Sequence, residues 1–138
     1  MKDPLFLDTS CFIYLIENHP QFAPPLKSVF SDLGREKIQA ITSVITVAEV
    51  LVKPIELKRN DLVTKYHELF TQVKSLKVVS PSYNTARQAA EIRSAYRFTL
   101  ADSFQLALAK ENKCRTFLTN DDRLKIYRDL PVILISDL

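Results

Sequence analysis

The chain has 138 residues, 46% of them hydrophobic and 25% charged, with a formal net charge of +3 from 19 Lys+Arg against 16 Asp+Glu. That is enough apolar material for one domain with a buried core, spanning 1–138, and a charge balance that permits a polyanionic partner without requiring one. No apolar run is long enough to cross a bilayer, and Asp3 stands where a basic leader region would be, so the composition points to an intracellular, cytoplasmic protein with no membrane partner.

The run Leu5-Phe6-Leu7, stopping at Asp8, predicts a buried strand, and Thr9 to Glu17 a helix capped by Asp8, Thr9 or Ser10. Pro24-Pro25 suit the first positions of a helix and Gly34 its end, which predicts a helix over about 25–33. Ile38-Gln39-Ala40-Ile41 reads as a second strand. Ser43 opens a helix running through Leu51 that Pro54 should close. Asp61 is expected to cap a long helix whose Leu62, Tyr66, Leu69, Val73 and Leu76 recur at three and four residues. Leu76-Lys77-Val78-Val79 is a third strand, stopped by Pro81. Helices follow over about 82–96 and 100–110, and Thr116-Phe117-Leu118 and Val132-Ile133-Leu134-Ile135 are the fourth and fifth strands. Short, continuously apolar strands separated by helices indicate a parallel sheet covered on both faces, hence an α/β fold with three α/β/α layers.

Three residue types exclude familiar chemistries. A glycine-rich phosphate loop needs several glycines, and Gly34 stands alone. Cys11 and Cys114 lie far apart, outside any CxxC spacing, and read as free thiols. His19 and His67 have no partner at ligand spacing, so neither a zinc site nor a Cys-His nucleophile pair is expected.

Four acids remain conspicuous by context. Asp8 follows the first strand; Glu49 lies inside the apolar helix after Ser43; Asp102 sits among Leu100, Ala101 and Phe104; Asp121 follows Phe117-Leu118-Thr119-Asn120. Singly, each has a structural explanation: Asp8 and Asp121 as caps, Glu49 as an i,i+4 partner of Lys53, and Asp102 as the acid of a capping box opened by Thr99. Together they suggest a site, because open α/β sheets bind ligands at the carboxyl ends of their strands, where the strand order reverses. Bare carboxylates would not tolerate such company. At ~5 Å and an effective dielectric of ~20, each pair repels by roughly 3 kcal/mol. Protons or cations must relieve that repulsion, and oxygen-only ligands select hard ions, Mg²⁺ or Mn²⁺ above zinc.

At Leu7-Asp8-Thr9-Ser10, Ser43 through Glu49-Val50-Leu51, Leu100-Ala101-Asp102-Ser103 with Leu106-Ala107-Leu108-Ala109, and Leu118-Thr119-Asn120-Asp121, the chain resembles the PIN-domain family. Each piece is weak alone; the ordered set, spanning nearly the whole chain, is specific. The resemblance implies a five-stranded parallel sheet of order 3-2-1-4-5. It also implies an endoribonuclease that uses Mg²⁺ or Mn²⁺ held by Asp8, Glu49, Asp102 and Asp121, and that leaves a 5′-phosphate and a 3′-hydroxyl. Asp122 is a lesser candidate for the place of Asp121. Thr9, Ser10, Thr119 and Asn120 would orient the carboxylates or their waters by hydrogen bonds. A chain of this size without a further domain is similar to the VapC-type toxins of toxin–antitoxin pairs, which implies a homodimer silenced by a small antitoxin. Ser103 and Phe104 depart from the family pattern, where small residues are commoner, and bear on substrate fit. Lys53, Arg93, Arg97 and Arg123 lie close to the acids in sequence and are candidate guides for RNA.

Two rival readings stay in view. A phosphohydrolase forming an aspartyl phosphate at Asp8 would need a second acid two residues on, where Ser10 stands. A non-catalytic RNA-binding module of the same fold would retain the acids without the chemistry.

Overall fold

The computed structural model describes residues 3–138; the first two residues of the expected 1–138 domain lie outside the described residues. Five strands, β1 (Leu5–Leu7), β2 (Ala40–Ser43), β3 (Leu76–Val79), β4 (Thr116–Thr119) and β5 (Val132–Leu134), pair in parallel in the order β3-β2-β1-β4-β5. Around them lie α1 (Thr9–Ile16), α2 (Ala23–Gly34), α3 (Val44–Glu56), α4 (Asn60–Gln72), α5 (Tyr83–Tyr96) and α6 (Leu100–Glu111), with short 3-10 turns at Asp122–Ile126 and Ile135–Asp137. The fold class is the one expected from the strand and helix pattern, and the strand order is the one the PIN-domain resemblance implies.

The strands read as unbroken apolar runs because alternate residues enter two different cores. Phe6, Ile41 and Phe117 face a cluster built with Ala89 and Ile92 of α5 and Leu106 of α6. Leu7, Ala40 and Leu118 point the other way, to Phe12 of α1, Leu26 and Leu33 of α2, Val50 of α3 and Tyr66 of α4. Successive side chains of a strand alternate faces, so both faces must be apolar when helices cover both. No helix among the described residues is long and apolar enough to cross a membrane.

Four local expectations need correction. First, β2 begins at Ala40, two residues later than expected, and runs into Thr42 and Ser43. Its polar end is hidden by pairing with β3 and by a bond from the Thr42 hydroxyl to the Leu7 carbonyl at 2.8 Å, neither of which an apolar-run reading detects. Second, α3 continues past Pro54 to Glu56. A proline in the last turn removes only one helical hydrogen bond, and the Pro54 carbonyl still accepts from Arg59 N–H at 2.9 Å. Third, Asp61 does not cap α4, which starts at Asn60; its carboxylate instead takes the Arg59 guanidinium at 2.9 and 2.8 Å.

Fourth, Gly34 is the last residue of α2 and does not adopt a left-handed backbone. The left-handed positions that follow helices are taken by Asn18, Glu36, Lys58, Arg97 and Lys113, and none of them is a glycine. An added Cβ at Gly34 would meet no atom within 4 Å. Gly34→Ala is therefore expected to stabilise the fold by about 0.5–1 kcal/mol, chiefly by restricting the unfolded chain, as read from the urea midpoint. A loss of stability would show that the α2 terminus needs the glycine.

Candidate active site

The strand order turns at β1, with β2 on one side and β4 on the other, and a crevice opens beyond their carboxyl ends. Asp8 is the residue after β1 and the N-cap of α1. It accepts from the Ser10 amide at 3.0 Å and from the Ser10 hydroxyl at 2.5 Å. The Thr119 hydroxyl at the end of β4 donates to its other oxygen. Only 9% exposed, its carboxyl is pushed up to about 6, chiefly by burial. The bonds from Ser10 and Thr119 pull the other way, and the Asp102 charge adds to the rise.

Glu49, on α3, accepts from the Thr9 hydroxyl at 2.6 Å. Asp102 stands in the first turn of α6, where the Thr99 hydroxyl caps its amide at 3.1 Å. Its carboxyl is also raised, first by burial and then by the charges of Asp121 and Glu49. Asp121 is gripped from both sides by the Arg123 guanidinium, with contacts of 2.9, 3.2 and 2.6 Å, and sits below the ordinary carboxylate range for that reason. Asp8, Glu49, Asp102 and Asp121 line a single open cleft of about 410 Å³, together with Thr9, Ser10, Thr119 and Asn120. Asp122 lines it as well. The eight residues expected at the site are thus brought together, although they come from four separate stretches of chain.

Three of the four carboxylates are engaged locally, Asp8 by hydroxyls, Glu49 by Thr9 and Asp121 by Arg123. Accordingly, among the described residues no three acids, histidines or cysteines close on one point as arranged. The donor set is nevertheless oxygen alone, which fits a hard divalent cation, and the mutual repulsion around Asp102 is the kind that such an ion relieves. Arg123 now supplies the positive charge beside Asp121, and it would have to release that carboxylate for an ion to take its place.

The other basic candidates are less central. Arg93, Arg97 and Arg123 line a smaller neighbouring pocket of about 200 Å³ that shares Asp102 with the main cleft. Arg93 spends its guanidinium on the carbonyls of Arg97, at 3.4 Å, and Phe98, closing the end of α5. Lys53 lies exposed in the last turn of α3 and is not among the residues lining either space. His19 does structural work, accepting the Gln21 and Phe22 amides at 3.2 Å. Ser103, the departure from the family pattern, is buried and donates to the Thr99 carbonyl at 2.9 Å.

Sequence reasoning missed two polar neighbours of the cleft. Tyr14 accepts from the Asn120 side-chain amide at 3.2 Å. Gln105 reaches Thr46 at 2.6 Å and also lines the cleft. The signal for Gln105 was present: an amide amid Phe104, Leu106, Ala107 and Leu108, three residues after Asp102 and hence on its face of the helix.

Fold and cleft together define a class, a doubly covered parallel α/β sheet with an acid-lined crevice at the strand ends. The PIN domain family model matches residues 5–130, and the chain belongs to the PIN-domain family. Among solved structures it is similar to FitAB bound to an IR36 DNA fragment, with 24% identity and a TM-score of 0.75 over 97% of this chain and 96% of that one. VapBC2 from Rickettsia felis, bound to a DNA fragment from its promoter, gives 17% identity and a TM-score of 0.72 over 94% and 97%. VapC20 from Mycobacterium tuberculosis, a sarcin–ricin loop cleaving toxin, gives 13% identity and a TM-score of 0.67 over 82% and 86%. No curated protein matches the chain in sequence.

Proposed function

We propose that this PIN domain, working as one unit over 1–138, is a metal-dependent endoribonuclease and the toxin of a toxin–antitoxin pair. The observation that supports it most is the convergence of Asp8, Glu49, Asp102 and Asp121 on one cleft, where burial and like charge raise two of the four carboxyls. A site that resists full ionisation in this way favours a cation. Mg²⁺ or Mn²⁺ held there by these four residues would supply charge for the phosphodiester oxygens and a more acidic water.

The chain's own residues do the rest. Ser10 and Thr119 fix the orientation of Asp8 with three donated hydrogen bonds, and Thr9 does the same for one oxygen of Glu49. The Asn120 amide ties the loop after β4 to the Ser10 hydroxyl at 3.2 Å, so the Asp8 and Asp121 stretches keep a constant spacing. Arg123, once off Asp121, is in reach of a backbone phosphate entering the cleft, with Arg97, Arg93 and Lys53 as more distant attractors of RNA.

The fold likeness to VapBC and FitAB complexes supports a small antitoxin as partner; a homodimer as the working form and the cytoplasm as its place belong to the same proposal and rest on the family resemblance alone. The test is incubation of purified protein with labelled RNA in Mg²⁺, in Mn²⁺ and in chelator. Cleavage is expected only with metal, leaving 5′-phosphate ends. Cleavage untouched by chelator would overturn the metal reading, and binding without cleavage under all three conditions would favour the non-catalytic module.

A further inference from the structure

A row of buried polar side chains crosses the protein and ends on Glu49. Ser43 and Thr46 are 0% exposed and Gln105 is 2% exposed. The Ser43 hydroxyl accepts from the amides of Ile45, at 3.1 Å, and Thr46, at 3.5 Å, so its own proton goes to Gln105 Oε1. That contact turns the carboxamide so that Nε2 donates to Thr46 Oγ1 at 2.6 Å. The Thr46 hydroxyl lies 3.5 Å from that of Thr9. The Thr9 hydroxyl is the donor in that contact and also donates to Glu49 at 2.6 Å, so its one proton is shared between Thr46 Oγ1 and the Glu49 carboxylate. The contacts therefore form one continuous line, Ser43 to Gln105 to Thr46 to Thr9 to Glu49, in which Thr46 Oγ1 receives both Gln105 and Thr9. In a buried network of this kind each contact holds the group that makes the next one.

The row also joins the two helices that carry acids. Gln105 is on α6, three residues after Asp102, and Thr46 is on α3, three residues before Glu49. Methionine or leucine would fill the Gln105 position, flanked as it is by Phe104 and Leu106, with no change of helix propensity to speak of. What an apolar residue cannot do is tie α6 to the Thr46–Thr9–Glu49 line.

We propose that Gln105 is a positioning residue: acting through Thr46 and Thr9, it orients the Glu49 carboxylate and sets its placement relative to Asp102. The inference rests on the metal-cleft reading above.

The test is Mn²⁺ binding to metal-stripped full-length protein, by titration calorimetry, for Gln105→Met, Thr9→Val, the double variant and the parent. Gln105→Met is expected to weaken Mn²⁺ binding roughly tenfold, the low end for residues that orient metal ligands, and Thr9→Val by at least as much. The double variant is expected to bind no more weakly than Thr9→Val alone, because both changes cut the same line. A residue that merely filled the core would not show that dependence. Unchanged Mn²⁺ affinity in Gln105→Met, or losses that multiply in the double variant, would overturn the proposal while leaving the metal reading standing. A parent protein that takes up no Mn²⁺ would overturn both. Melting in chelator checks the fold, and if Gln105→Met does not fold, Thr46→Val takes its place in the cycle, with the same outcomes deciding.

Discussion

Asp8→Asn is expected to cut RNA cleavage by on the order of 10²–10³, the scale on which one fixed electrostatic partner of a reacting phosphate acts. It should do so without unfolding the chain. Asparagine is as good an N-cap as aspartate, so α1 keeps its first turn. The variant also removes a destabilising charge. Asp8 in the folded chain is pushed up to about 6, whereas in the unfolded chain it ionises near 3.8. Between those values the folded state binds the extra proton, so metal-free stability attributable to Asp8 falls as the pH climbs from about 4 to about 6, and then levels. The full difference is on the order of 2–3 kcal/mol. Asparagine has no such slope. In chelator, the stability of Asp8→Asn relative to the parent should therefore improve between pH 4.5 and pH 7.5, read by urea unfolding at both. Groups with the opposite slope, Asp61 beside Arg59 and Asp121 beside Arg123, are present in both chains and cancel. Added Mn²⁺ should raise the melting temperature of the parent and not that of the variant. A variant that loses ground as the pH rises would mean that Asp8 is stabilising as a carboxylate, and the idea of a strained acid waiting for a cation would fail.

Phe6→Ala should cost about 3–5 kcal/mol, enough to unfold a marginal domain near physiological temperature. Phe6 is fully buried, and its ring stacks on Phe117 with centroids 5.1 Å apart and planes 5° from parallel. The two residues are register partners in the β1–β4 ladder, so the stack joins the strands that carry Asp8 and Thr119 to the cleft. Deleting the ring leaves a hole between the sheet and α6 that small residues such as Ala107 and Ala109 cannot fill. Urea unfolding of the purified variant measures the loss. A cost below about 1 kcal/mol would mean that the core collapses around the gap and that the stack contributes little to holding the site together.

Much of the fold was legible in the sequence because its signals are local. Each of the five strands is three or four residues long, and all but one show as an apolar run at the right place. The exception, β2, ends in Thr42 and Ser43, whose polarity is satisfied by the Leu7 carbonyl and by Gln105. Those partners are 35 and 62 residues away, and no window around position 42 contains them. Caps were legible for the same local reason. Asp8, Ser43 and Thr99 each sit just before a helix and accept an amide within three residues. Asp61 misled because its guanidinium neighbour, Arg59, competes for the same carboxylate.

The sequence by itself determined which residues could carry the chemistry: four acids at strand ends and on apolar helices, with no glycine loop or paired cysteines beside them. Only the tertiary structure decided what state those acids are in. Asp8 is raised because segments more than a hundred residues apart close over it, Asp102 is raised by burial and by the charges of Asp121 and Glu49, and Glu49 is oriented by a line of hydroxyls and one amide drawn from three helices. Helix periodicity and capping act over three or four residues and can be read along the chain. Desolvation and Coulomb repulsion depend on how densely distant segments pack and on which charges they bring face to face, and that is settled only when the chain has folded.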